Sequence, residues 1–219
     1  MQTTGNISNN MPDAEFAYTN NWFDSVAKKV WESLIPQIKP KHILEVGSYE
    51  GASACYLINK LAQESPIEIH CIDTWEGGIE HQAGGMDMAS VERRFHHNTK
   101  IAISRAAHKV ELTVHKGPSD FCLAKLISQN RGNYFDFIYI DGSHQAPDVL
   151  SDAVLGFRLL KVGGIVAFDD YLWAESLPYG KDPLRCPKTG IDAFINCNFR
   201  KVQIISAPLY QLYVQKIAD

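Results

Sequence analysis

Apolar residues along the chain change period repeatedly, and the changes mark out alternating strands and helices. Ile43, Leu44 and Val46 form a short run after Pro40. From Ala52 onward, Cys55, Leu57, Ile58, Leu61 and Ala62 recur at helical spacing. A buried strand therefore feeds a helix through a turn bounded by Gly47 and Gly51. The same reading predicts strands over 67–72, 110–114, 135–140 and 165–168, with 160–164 as a turn before the last of these. Helices are predicted between 88 and 107, after Pro118, and after Pro147, where Val149, Leu150, Ala153, Val154 and Phe157 share the buried face. A short helix over 191–197 and strands over 201–206 and 209–214 close the chain. At the other end, Asn21 reads as the N-cap of a helix over 21–36, with Trp22, Val26, Val30 and Leu34 on one face and Pro36 as the stop. Residues 1–20 read as a loose arm. Strands alternating with helices predict one α/β domain over 1–219, its core spanning 40–216.

The strand ends carry the candidate chemistry. Gly47 and Gly51 give backbone freedom at a tight turn, and the helix start offers N–H groups and a positive dipole end, an arrangement suited to an anion. Glu45 adds negative charge suited to a cation or amino group, so the expected ligand is zwitterionic. Asp73 ends the second strand, where doubly wound folds place an acid that binds ribose hydroxyls, and Trp75 offers an apolar wall for an adenosine. Asp141 and the pair Asp169-Asp170 end two later strands that should be neighbours. Three carboxylates there would repel one another unless protonated or bound to a hard divalent cation, Mg²⁺ or Mn²⁺. Histidine as a residue type titrates near neutrality, and His144 could take a hydroxyl proton. Tyr171, Trp173 and the loop 174–188 could wall the acceptor. The glycine pairs 77–78 and 84–85 bracket a long loop, a candidate lid containing His81, while His96 and His97 are expected on a helix surface.

Composition narrows the classes. The 219 residues are 45% hydrophobic and carry a formal net charge of -4, enough for one well-filled core and without the general basicity that drives nucleic-acid binding. Five cysteines, an odd number with no Cys-x-x-Cys pair, argue against a disulfide framework or a cysteine zinc site and fit a reducing cytoplasm. No apolar stretch approaches the roughly 18 residues of a membrane-spanning helix, and no targeting pattern opens the chain.

The run Glu45-x-Gly47-x-Tyr49-x-Gly51-x-Ser53 resembles motif I of class I S-adenosylmethionine-dependent methyltransferases, in the catechol-type variant where an aromatic replaces the middle glycine. The resemblance implies a Rossmann-like, mostly parallel sheet with an antiparallel last strand and helices on both faces. It implies S-adenosylmethionine bound by Glu45, Gly47, Ser48, Tyr49, Gly51, Ser53, Asp73, Trp75 and Asp141, with Gly117, Ser119 and Asp120 at the adenine edge; capping accounts equally well for Ser119. Asp141, Asp169 and Asp170 resemble the metal site of catechol-type and sugar or macrolide O-methyltransferases, and the Asp-Asp pair is closer to the sugar-modifying branch. His144 stands where catechol-type enzymes place a lysine base. The implied activity is Mg²⁺-assisted methylation of a hydroxyl on a small molecule or sugar. A metal-dependent hydroxylase-like enzyme on the same fold and a non-catalytic adenosyl-binding protein are the rival readings. The apolar N-terminal helix could serve a homo-oligomer contact.

Overall fold

The computed structural model describes residues 15–79 and 84–219. Seven strands form one sheet: β1 (His42–Val46), β2 (Ile67–Asp73), β3 (Val110–Lys116), β4 (Phe135–Ile140), β5 (Leu160–Phe168), β6 (Val202–Ile205) and β7 (Leu212–Lys216). Their order is β3-β2-β1-β4-β5-β7-β6. Strands β1 to β5 pair in parallel, and β7 runs antiparallel to both β5 and β6. The order reverses between β1 and β4, so the carboxyl ends of these two strands form the crevice in which open α/β sheets bind ligands.

The sheet is covered on both faces, which is why β1 and β4 read as nearly continuous apolar runs. One layer holds α2 (Ala27–Ile38), α3 (Ala52–Leu61) and α4 (Met88–Ser104), packed on Ile43, Ile69, Phe137 and Tyr139. The other holds α5 (Ser119–Ser128), α6 (Ala146–Leu159) and α7 (Pro187–Asn198), packed on Leu44, Ile138, Val166 and Val214. Trp31 anchors the first layer with its ring 4.8 Å from Tyr139 and 5.3 Å from Phe137.

Several expectations are corrected. The helix expected over 21–36 is two pieces, α1 (Trp22–Ser25) and α2, broken at Val26. Pro36 lies inside α2, and the helix ends instead at Lys39, whose φ is 42°. The buried face is Ala27, Trp31 and Ile35, while Trp22 is 55% exposed and turned toward Tyr49. Trp22, Phe23 and Ser25 of α1, with Val26 at the break, line the cavity at the strand ends. Residues 15–20 are pinned rather than loose: Ala17 N–H donates to Asn98 Oδ1 at 2.7 Å, and Thr19 donates through its N–H and its hydroxyl to Glu50, both at 2.7 Å. The turn expected over 160–164 is part of β5, its register shifted against β4 between Phe135 and Phe137. Val154 faces solvent. The last strand runs from Leu212 to Lys216 rather than over 209–214. Residues 1–14 and the lid residues 80–83, His81 among them, lie outside the described residues.

Candidate active site

One cavity of about 990 Å³ runs along the carboxyl ends of the strands, from the β1 turn past the β3 turn to the loops after β4 and β5. Its first wall is the turn from Gly47 to Gly51. Gly47 has φ +83°, and a Cβ there would lie 2.0 Å from the Asp141 carbonyl oxygen. The glycine is demanded by the close approach of the β4 end, a stricter requirement than access for a ligand. Gly51, at φ +80°, begins α3 against the Phe95 ring.

The carboxylates around this turn are engaged within the protein. Asp73 Oδ2 accepts from the N–H groups of Ser48 and Tyr49, both at 2.9 Å, and Oδ1 accepts from Trp75 N–H at 2.7 Å. The expected anion site is thus already held by a carboxylate from β2. Asp73 still lines the cavity with acceptor capacity to spare. Glu45 is fully buried and accepts from the hydroxyls of Ser48 and Ser53. Burial raises its pKa despite those two bonds, and Glu45 braces the turn without lining the cavity. Trp75 is also beneath the surface, 4% exposed, its ring against Phe95 and its indole N–H on the Tyr49 carbonyl. Trp75 does not line the cavity; Ile72, Gly117 and Pro118 do, with Ser119 and Asp120.

At the other end Asp141, His144 and Asp170 converge, with one ligand atom of each within 4.8 Å of the others. His144 Nε2 lies 2.9 Å from Asp170 Oδ2, and its ring lies 4.1 Å from Trp173. Asp170 adopts φ 52°, which turns its side chain away from Asp169 and toward His144. Asp169 accepts from the Tyr139 hydroxyl and from the Asp170 N–H, so it stands behind the group rather than in it. The grouping therefore includes His144 in the place expected for Asp169. Burial, then the neighbouring Asp169 and Asp170, push Asp141 well above the usual carboxylate range. Burial and Asp170 raise Asp169 to about 6. Two carboxylates, an imidazole and uncompensated negative charge form a donor set suited to a divalent cation.

Sequence reasoning missed Tyr139, whose hydroxyl also donates to Asp141 Oδ2 at 3.0 Å. The signal was present, because Tyr139 and Asp141 are two residues apart in an extended run and share a face. It also missed Tyr18, Trp22 and Tyr210 as cavity residues. Tyr171, expected at the acceptor wall, instead bonds Asp192 and Lys188, each at 2.8 Å, while Trp173 does line the cavity.

A family model described as a methyltransferase domain matches residues 44–171, from within β1 to just beyond Asp170. The chain belongs to that family. Among curated proteins, a Dictyostelium discoideum protein named "Probable caffeoyl-CoA O-methyltransferase 3" is 25% identical over 165 residues. The match covers 71% of this chain and 57% of that relative's length. The fold resembles the O-methyltransferase TomG of Streptomyces achromogenes, solved with S-adenosylmethionine, at a TM-score of 0.60 and 17% identity over 88% of this chain and 80% of that one. An O-methyltransferase from Bacillus cereus, solved with S-adenosylhomocysteine, gives 0.57 at 17% identity over 87% and 80%. The methyltransferase fold, its mostly parallel sheet and its antiparallel last strand are as expected from motif I. Among the described residues no helix is long and apolar enough to cross a membrane.

Proposed function

We propose that this methyltransferase moves the methyl group of S-adenosylmethionine to a hydroxyl oxygen of a small molecule, at a site that uses a divalent cation. The observation that carries the reading is the Asp141, His144 and Asp170 grouping, which opens onto the same cavity as the Gly47 to Gly51 turn. The cosubstrate would lie across the β1 and β4 ends, its ribose hydroxyls donating to Asp73 and its adenine near Ser119 and Asp120. The acceptor would enter between Trp173, Tyr210 and Trp22.

Asp141 and Asp170 would hold the cation, with Asp169 adding charge behind them and His144 beside it as the base. When bound, it supplies Lewis-acid polarisation of an acceptor oxygen, lowering that hydroxyl's pKa. His144 Nε2 faces the same space and would receive the hydroxyl proton, its ring oriented by Asp170 and Trp173. The acceptor oxygen then attacks the methyl carbon as the carbon–sulfur bond breaks and its electron pair returns to sulfur. Charge disperses in that transition state, so orientation by the aromatic walls contributes more than any oxyanion hole.

Titration of S-adenosylhomocysteine into the protein by calorimetry, followed by a methyl-transfer assay with vicinal diols and Mg²⁺ or Mn²⁺, tests this reading. Cofactor binding with metal-dependent transfer is expected; absence of cofactor binding contradicts it. One observation favours a second reading. An imidazole among the ligands also suits a redox-active metal, so oxygen consumption with Fe²⁺ in place of methyl transfer would select a hydroxylase-like activity.

A further inference from the structure

The cavity is acidic along its whole length. Asp141, Asp169 and Asp170 crowd one end. Glu50, Asp73 and Asp120 lie along the turns after β1, β2 and β3. Glu76, Asp148 and Asp152 complete the lining. Against these nine carboxylates, no lysine or arginine lines the cavity among the described residues. Segments 1–14 and 80–83 contain neither residue type. Arg94, which contacts this lining, is paired with Glu50 at 2.5 Å. Lys188, near the loop after β5, is held by Asp192 and Tyr171. Burial raises Asp152 to about 7, with smaller contributions from Asp148 and Asp120.

A sulfonium cosubstrate and one divalent cation would offset only part of this charge. The remainder falls on whatever enters beside them. From this we infer that the acceptor bears no phosphate, carboxylate or other anionic group, and is uncharged or carries a protonated amine. An anionic acceptor would meet repulsion from these carboxylates with no lysine or arginine in the described lining to pair with it, and a field of one sign focused in a cleft is felt over its whole length. The inference rests on the proposed function and narrows it. It separates this chain from the polyanionic coenzyme A ester class that a relative's name carries.

The test uses nearly isosteric catechols that differ in charge: dopamine, 4-ethylcatechol and 3,4-dihydroxyphenylacetate, with caffeoyl-CoA as a polyanion. Each is assayed for methylation and for binding in the presence of S-adenosylhomocysteine and Mg²⁺. The expected order in kcat/KM is dopamine, then 4-ethylcatechol, then the carboxylate, with about tenfold or more between the first and the last. The gap should shrink as salt is raised. In Asp148→Lys, an exposed lining position, the cation-to-anion ratio should fall severalfold while S-adenosylhomocysteine affinity holds. If that variant does not fold, the salt dependence of the wild-type ratio decides. Equal or better use of the carboxylate or of caffeoyl-CoA would overturn the inference, as would binding of none of the four by protein that binds S-adenosylhomocysteine. Failure to bind S-adenosylhomocysteine at all would instead remove the proposed function beneath it.

Discussion

The two ends of the cavity are built from the same residue type in opposite electrostatic states. Around β1 and β2 three carboxylates have donors: Asp73 takes three backbone N–H groups, Glu45 two hydroxyls, and Glu50 Arg94 and Thr19. After β4 and β5, carboxylates face one another, and burial together with their mutual repulsion raises Asp141 and Asp169. The first end is preorganised; on the proposed function a counter-charge completes the second. A protein can retain such strain where the missing partner is a ligand.

The joint between the ends gives the largest expected effect. Gly47→Ala forces a Cβ onto the Asp141 carbonyl at a φ of +83°, and should cost about 3 kcal/mol or more, lowering Tm by on the order of 10 °C. A thermal melt checks this, and an unchanged Tm would break the account of the joint. Next, Asp73→Ala strips the acceptor from two turn N–H groups. It should destabilise the protein by about 2 kcal/mol and weaken S-adenosylhomocysteine binding by about tenfold or more.

At the second end the sign reverses. Asp141→Asn removes repulsion, so in metal-free protein near pH 8 it should stabilise by about 1–2 kcal/mol. Denaturant unfolding with and without Mg²⁺ separates the two cases, and a loss of stability without metal would show that Asp141 is satisfied within the protein. The smallest effect concerns pH. Asp152 and Asp169 have folded pKa values, about 7 and about 6, above the ordinary carboxylate value. The folded state therefore binds more protons than the unfolded one across that window. Metal-free stability should fall as pH rises from about 4 to 7, and recover as pH is lowered through it. In Asp152→Asn, whose parent side chain is 1% exposed with Oδ1 lacking a hydrogen-bond partner, the slope should flatten. A parallel slope would remove Asp152 from the explanation.

Much of this was legible in the chain because strand ends are marked by sharp changes of residue class. The run from Ile43 to Ser53 changes from apolar to glycine-bounded at the place where β1 ends, and Asp73, Asp141 and Asp169 each follow an apolar strand. What the sequence concealed was direction. Glu45 and Trp75 are next to the turn in sequence, yet their side chains point into the protein, and nothing in their spacing says so. The N-terminal helix misled for a related reason. Trp22, Val26, Val30 and Leu34 make a plausible stripe, but a break at Val26 rotates α2 relative to α1, and Trp31 fills the core instead. The Asp169 and His144 exchange depends on a single left-handed residue, Asp170, whose φ no residue pattern announces.

The most direct test of the central claim is calorimetric titration of Mg²⁺ or Mn²⁺ into protein saturated with S-adenosylhomocysteine, comparing wild type with Asp141→Asn and Asp170→Ala. The account predicts one metal site in the wild type, lost in both variants, with S-adenosylhomocysteine affinity retained in Asp170→Ala. Metal binding of equal strength in all three proteins, or none in the wild type, would contradict it.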